Sequence, residues 1–317
     1  MTTHGLDISV VIVNRNTADL LAAAVGSVYD TTQGLAVEVW VVDNASSDHS
    51  VAMLRERFPR VRIIANDSNR GFGAANNQAL RQAGGRYVLL LNSDAALSPG
   101  AARRLFDFME ASPSAGMACG QLLNPDGSRQ NSFASFPDPV SLLLNESLLK
   151  RLMPGRYPSK YRQFDGPTPV DSCIGACMIV RKSAMDAVGL FDERYFFFME
   201  ETDWALQFHR AGWQVLFVPD ARIVHAQGQS AGSGADARIL FYRSRYQYLK
   251  KWFPTRFPWL AAVVVVRLLV NVMLNTVGTV ATAGLAAGVR RRWVRNLKVL
   301  GWHVTGRPFN DNRKASS

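Results

Sequence analysis

Three sets of residues in this chain have the types and spacing to do chemistry. The first is Leu89-Leu90-Leu91-Asn92-Ser93-Asp94, where an apolar strand ends in a polar turn carrying a carboxylate, and Ser98-Pro99 then opens a helix as N-cap and first-turn proline. A carboxylate delivered by a rigid strand to a sheet edge can hold a divalent metal on a ligand's phosphates, although alone the run is an ordinary Asx turn. The second set is Glu200, Glu201 and Asp203 at the start of a helix, behind the apolar residues 196–199 that would wall off water. Shielded carboxylates suit proton transfer, whereas the plainer reading is a set of anions capping a helix N-terminus. The third is His225, which alone reads as a satisfied surface or core histidine.

The elements that must position these residues alternate. Strand signals at residues 8–13, 37–42, 61–65 and 87–91 are separated by helix signals at 18–28, 47–58 and 73–83, the second stopped by Pro59 and the third by Gly84-Gly85. Regular signals return at strand 176–180, helix 201–211 and strand 215–218, while 121–169 is rich in Pro, Ser and Asn and reads as loops shaping the site of a second substrate. The alternation predicts an α/β fold with a mixed, mostly parallel sheet flanked by helices. Such sheets bind ligands beyond the carboxyl ends of their strands. The residues there are Asn14 and Asn16, then Asp43 and Asn44, then Asn69 and Gly71, then Asn92, Ser93 and Asp94. The turn after the first strand contains no glycine, which disfavours a dinucleotide-binding Rossmann domain. Asp43 remains well placed to accept hydrogen bonds from a base or ribose, with the phosphates farther along the sheet edge.

Charge divides the chain. Residues 1–236 hold 21 Lys and Arg against 24 Asp and Glu, whereas 237–317 hold 15 against 1, so the net charge of +11 belongs to the tail. A basic tail suits nucleic acid or an anionic membrane. The apolar segment 257–289, charged only at Arg267, decides for the membrane surface and against nucleic acid. It exceeds the roughly 20 residues that span a bilayer. Both flanks are basic, however, and Arg267, Asn271, Asn275 and Thr279 recur every four residues, so a hairpin or an in-plane helix fits better than one crossing. A buried helical pair of a soluble fold is the alternative. Cys119, Cys173 and Cys177 are too few for a disulfide framework and lack partners for a zinc site, which implies a reducing setting. Residues 1–7 are polar and predict no signal peptide.

Several motifs in order resemble glycosyltransferase family 2, with its GT-A fold, and within it the bacterial rhamnosyltransferase-like members. They are Val41-Val42-Asp43-Asn44-Ala45-Ser46-Ser47-Asp48; Asn69-Arg70-Gly71-Phe72-Gly73 with Asn76; Leu91-Asn92-Ser93-Asp94; Gly189-Leu190-Phe191-Asp192-Glu193 with Glu200-Glu201-Thr202-Asp203-Trp204 and Ala211-Gly212-Trp213; and His225-x-x-Gly228-x-Ser230. The likeness runs from about Ile8 to about Pro254. It implies a GT-A domain over 1–236 followed by a basic helical tail over 237–317. It also implies nucleotide-sugar binding by Asn14, Asn16, Asp43, Asn44, Asn69, Gly71, Asn76, Asn92, Ser93 and Asp94. Asp94 and His225 become ligands for Mg²⁺ or Mn²⁺, although Asn92 stands where the family's first aspartate would be. Glu201 takes the position of the family's catalytic base, usually aspartate, ahead of Glu200 and Asp203.

The resulting expectation is an inverting, metal-dependent transferase on the cytoplasmic face of the inner membrane, peripheral or hairpin-anchored. It would move a sugar from a nucleotide diphosphate donor, dTDP-rhamnose before a UDP-sugar, to a hydroxyl of a lipid-linked saccharide in cell-surface polysaccharide synthesis. Its rivals are a noncatalytic membrane-bound nucleotide-sugar-binding protein and a nucleotidyltransferase. The latter would carry a glycine-rich phosphate loop after the first strand.

Overall fold

A computed structural model describes residues 5–226, 234–283 and 285–305. In chain order, β1 (Ile8–Asn14), α1 (Ala18–Thr31), β2 (Val37–Asp43), α2 (Ser50–Arg57), β3 (Arg62–Ala65), α3 (Phe72–Leu80) and β4 (Tyr87–Asn92) come first. Then follow β5 (Ala95–Leu97), α4 (Ala101–Ala111), β6 (Ala115–Leu123), β7 (Phe133–Ala134), α5 (Pro139–Leu143), α6 (Glu146–Leu152), β8 (Thr168–Pro169), β9 (Ser172–Cys173) and β10 (Cys177–Arg181). The remainder is α7 (Lys182–Val188), α8 (Glu200–Arg210), β11 (Gln214–His225), α9 (Ala235–Trp252), α10 (Phe257–Ala281) and α11 (Ala287–Thr305). The described residues form two compact units, one within 1–136 and 159–230 and the other within 137–158 and 231–316.

The first unit is built on a mixed sheet in the order β3-β2-β1-β4-β10-β6-β11-β5, with β8 added to β11. The β3-β2-β1-β4 half is wholly parallel, while β10 runs antiparallel to both of its neighbours. Both faces are covered, so the strands read as apolar runs whose alternate residues serve opposite layers. Ile8, Val10 and Ile12 of β1 pack with Leu21 and Val25 of α1, whereas Val11 lies in the other layer with Ala75 of α3 and Trp204 of α8. The register sets Asn14 level with Asp43, and Val13 level with both Val42 and Asn92. The three strands therefore deliver their polar ends along one edge.

Helix α4 corrects one expectation. It begins at Ala101 behind Gly100, whose φ of +76° puts the capping position in the left-handed region, and not at Ser98-Pro99. The reason is β5, which follows Asp94 at once: it pairs with β11, and the Ser98 N–H donates to Arg222 O at 3.1 Å. Ser98 is thus tied to the sheet, and the turn that leaves it ends on the residue type that tolerates positive φ.

The second unit contains α5, α6, α9, α10 and α11. It takes in 137–158, a stretch whose composition reads as loop but which holds two short helices, α5 with a capping box between Asp138 and Ser141 and Pro139 in its first turn. Helix α10 is 25 residues long and apolar enough to cross a membrane by length and composition, and little of it is buried. Of the four-residue polar stripe, Arg267 donates to the carbonyls of Ser141 (2.9 Å) and Leu142 (3.2 Å), while Asn275 and Thr279 turn back to the carbonyls four residues earlier on their own helix.

Candidate functional site

At the ends of β1 and β2 the polar side chains hold one another. Asp43, 3% exposed, accepts from Asn14 Nδ2 through Oδ1 and from the Ser46 N–H through Oδ2, each at 2.9 Å. The Thr17 hydroxyl links Asn14 Oδ1 (2.7 Å) to Ser93 Oγ (2.9 Å), which carries the network to the end of β4. Asn16, at φ +53°, accepts from the Ser47 N–H at 2.7 Å. Asn44 donates to Asn69 Oδ1 (2.8 Å) and accepts from the Arg70 N–H (2.9 Å), and Asn69 Oδ1 also receives the Gly71 N–H (2.9 Å). Asn14, Asn16, Asp43, Asn44, Asn69, Gly71 and Ser93 thus share one connected framework. Asn76 stands apart inside α3, donating to Phe72 O at 2.9 Å.

Gly71 joins this framework to the acidic helix. Its φ is +83°, and a Cβ there would lie 2.3 Å from Phe196 O. The Phe72 N–H donates to that same carbonyl at 2.9 Å. Phe198 and Met199 follow, both non-glycine residues at positive φ (69° and 71°), and α8 begins at the next residue. Two successive left-handed residues persist only where their surroundings impose them, and such strain gathers at functional sites.

The acidic residues divide in environment. Asp203 is fully buried and accepts from Tyr195 Oη (3.1 Å) and Gln207 Nε2 (2.8 Å), which suits it to anchoring the helix. Glu200 is 3% exposed, its Oε2 has no hydrogen-bond partner, and burial first, then the neighbouring Glu201 charge, hold its carboxyl well above the usual carboxylate range. Glu201 keeps partial solvent contact, and burial raises its carboxyl to about 7 against the pull of backbone N–H groups at the helix start. A carboxylate near 7 is matched to general-base work at neutral pH. Glu201 also lies beside the turn before β10: a Cβ at Gly175 would sit 4.0 Å from its carboxyl carbon, and the next residue's carbonyl, Ala176 O, takes the Asn92 N–H at 2.9 Å.

Asp94 follows β4 and is 5% exposed. Its Oδ1 has no hydrogen-bond partner and lies 3.4 Å from His225 Nε2. Strand β11 delivers His225 there by pairing with β5, which sets His225 opposite Ala95. An orphaned carboxylate oxygen facing an imidazole nitrogen is a donor pair that fits a divalent cation, to be completed by ligand oxygens. Among the described residues no group of three His, Cys, Asp or Glu side chains makes a metal site by itself. Gly228 and Ser230 of the histidine motif lie outside the described residues.

Two participants carry no signal in the sequence. Gln130, from the stretch read as loops, lies with Oε1 2.9 Å from His225 Nδ1. Asn77 clamps α3 to the segment before α8, donating to Phe191 O and Glu193 Oε1 at 2.9 Å each. An isolated amide has no periodicity or motif to mark it.

Residues 9–189, more than half of the chain, match the family described as Glycosyl transferase family 2. The chain is 30% identical over 228 residues to the N-acetylglucosaminyl-diphospho-decaprenol L-rhamnosyltransferase of Mycobacterium tuberculosis, covering 67% of this chain and 74% of that protein. It is 38% identical over 106 residues to the succinoglycan biosynthesis protein ExoO of Rhizobium meliloti, covering 33% of this chain and 30% of that one. In fold it resembles the mannosyltransferase PcManGT from Pyrobaculum calidifontis, solved with GDP-Man and Mn²⁺ (TM-score 0.57, 17% identity, 96% of this chain and 87% of that one). GalNAc-T7, solved with UDP, GalNAc and Mn²⁺, is similar to the same degree (TM-score 0.59, 16% identity, 98% and 58%).

Proposed function

The chain belongs to glycosyl transferase family 2, has the GT-A fold and is a nucleotide-sugar glycosyltransferase, and on that premise we propose an inverting, metal-assisted transfer of a sugar to a lipid-linked saccharide at a membrane surface. The donor is a nucleotide diphosphate sugar, dTDP-rhamnose before a UDP-sugar, because the Mycobacterium tuberculosis relative is named a rhamnosyltransferase acting on a decaprenyl-diphosphate-linked sugar. Asp43 accepts from the base or ribose, with Asn14 and Ser46 fixing its two oxygens. Asp94 and His225 hold Mg²⁺ or Mn²⁺, which when bound neutralises the diphosphate leaving group. Glu201 takes the proton of the acceptor hydroxyl as that oxygen attacks the anomeric carbon on the face opposite the leaving group. The aromatic residues 196–198 exclude water, which would otherwise compete as the nucleophile.

The observation that carries this reading is the buried, partnerless Asp94 Oδ1 facing His225 Nε2. Calorimetry of the full chain against dTDP-rhamnose, UDP-glucose, UDP-galactose and GDP-mannose, with and without Mn²⁺, tests it. One donor should bind in a metal-dependent manner and be lost in Asp94→Ala; metal-independent binding of every donor would refute the metal assignment.

For the second unit the same reading places α10 and α11 on the cytoplasmic face of the inner membrane without crossing it. On α10, Val266, Leu269, Val270, Met273, Leu274 and Val277 are exposed at helical spacing and form one apolar stripe. Helix α11 turns back along α10, with Trp293 Nε1 donating to Thr276 Oγ1 at 2.8 Å, and carries Arg290, Arg291, Arg292, Arg295 and Lys298. Taking α10 through the hydrocarbon would draw those cations in, each at a cost of at least about 2.5 kcal/mol. At an anionic surface each instead contributes about 1 kcal/mol of attraction. Flotation with phosphatidylglycerol vesicles should recover the full chain, and recovery should fall at high salt. A chain that stays with vesicles after alkaline and high-salt washing would indicate a true span.

A further inference from the structure

We infer that Gln130 is a positioning residue for the metal pair: its amide fixes His225 as the Nδ1–H tautomer and so presents the bare Nε2 to Asp94. The inference rests on the metal-assisted reading above. Gln130 is 6% exposed and lies between β6 and β7, where its backbone N–H donates to Leu122 O at 2.9 Å and its carbonyl accepts from Gln121 Nε2 at 3.2 Å. The side chain therefore leaves a backbone anchored to the sheet.

The orientation of the amide follows from its partners. Gln130 Nε2 lies 2.7 Å from the backbone carbonyl of His225 and 2.7 Å from Asn124 Oδ1. A backbone carbonyl can only accept, so the atom facing it must be the NH₂ group. The flipped amide would set two oxygens 2.7 Å apart. Both amide hydrogens are then engaged, and the atom left facing His225 Nδ1 at 2.9 Å is Oε1, which again can only accept. Nδ1 must carry the proton.

A neutral imidazole carries a single N–H. With that hydrogen on Nδ1, Nε2 offers a lone pair 3.4 Å from Asp94 Oδ1, whose own lone pairs meet no donor. Two acceptors facing each other in a buried site are mutually repulsive until a cation lies on both. Gln130 thereby excludes the neutral tautomer that would ruin the site, one whose Nε2–H bonds to Asp94 and spends both ligands on each other. Partners that fix the tautomer of a ligating histidine in this manner are worth about 10- to 100-fold in metal affinity.

The test uses the full chain. ¹⁵N NMR of the imidazole nitrogens, followed to a pH at which the ring is neutral and with His225 assigned by comparison with His225→Gln, should show a protonated Nδ1 and a bare Nε2 in metal-free protein. A neutral ring that carries its proton on Nε2 would overturn the assignment while leaving the metal reading standing. Mn²⁺ is then titrated by electron paramagnetic resonance in separate series with dTDP and with UDP. Gln130→Leu should melt at a lower temperature than wild type, because the His225 carbonyl and Asn124 Oδ1 lose their donor, and in its folded state it should lose the fixed tautomer and bind Mn²⁺ 10- to 100-fold more weakly. Unchanged Mn²⁺ affinity in folded Gln130→Leu would overturn the role of Gln130. If that variant does not fold, the wild-type tautomer decides. Failure of wild type to bind Mn²⁺ in either series would instead overturn the metal reading, and the purpose assigned to Gln130 with it.

Discussion

At the ends of β1 and β2 the buried polar groups satisfy one another, whereas after β4 and at the start of α8 one carboxylate in each place has a buried oxygen left over. Both Asp43 oxygens accept hydrogen bonds, and Asn14, Thr17 and Ser93 continue the chain without a gap. Asp94 Oδ1 and Glu200 Oε2 are buried and unpartnered. A satisfied network makes a stiff frame that specifies one geometry. An unsatisfied buried carboxylate costs stability and is retained where a ligand or a proton will complete it. The contrast separates the part of the edge that holds its shape from the part that is finished only in the working complex.

Substitutions in the two parts should therefore fail in different currencies. The largest effect belongs to Glu201→Gln, which should lower kcat about 10²- to 10⁴-fold with donor affinity unchanged, by single-turnover transfer alongside calorimetry. Full activity in this variant would move the base elsewhere. Next, Asp94→Asn should abolish metal-dependent donor binding while leaving the melting temperature equal to or above wild type, since it removes a buried charged oxygen that has no partner. A marked loss of stability would place Asp94 with the frame. Asp43→Asn should instead cost stability, about 1–3 kcal/mol in urea denaturation, because an amide cannot accept from both the Asn14 amide and the Ser46 N–H.

The smallest expected effect is a dependence on pH. With the Glu201 carboxyl near 7 and active when ionised, kcat should climb with pH below that value and level off above it. The sign for stability is opposite. The folded-state value lies above the ordinary 4.5 of the unfolded chain, so the native preference for the protonated form is fully present below about 4.5 and lost as pH rises through about 7. Glu201→Gln should therefore match wild-type stability near pH 4.5 and exceed it at pH 8, measured by urea denaturation at both.

The alternating half of the fold was legible because β1, β2 and β4 are buried on both faces and each helix is bounded by Pro, Gly or a polar turn. Asn14, Asp43 and Asn92 could be named for the same reason: a parallel sheet brings the residues after its strands to one edge. What could not be read depends on distant partners. Strand β5 has three residues and exists because β11 pairs with it. Gln130 matters only because β11, more than 90 residues later, ends beside it. In the second unit, Arg267 caps the carbonyls of α5, while Asn275 and Thr279 bond to their own helix, so a stripe that looks uniformly polar in the sequence has two physical roles.

The Asn77 clamp has a consequence for the order in which the protein assembles. Strands β1 to β4 all lie within residues 8–92 and pair with one another, so the edge proposed to bind nucleotide can form before the rest of the chain is available. The acidic helix is held there by bonds such as Asn77 to Phe191, which close a loop of 114 residues. Long loops carry the larger closure entropy and form late. On the proposed roles, a chain emerging from the ribosome would acquire the edge assigned to the nucleotide before the helix assigned the proton acceptor, and so could hold a nucleotide before it could transfer a sugar.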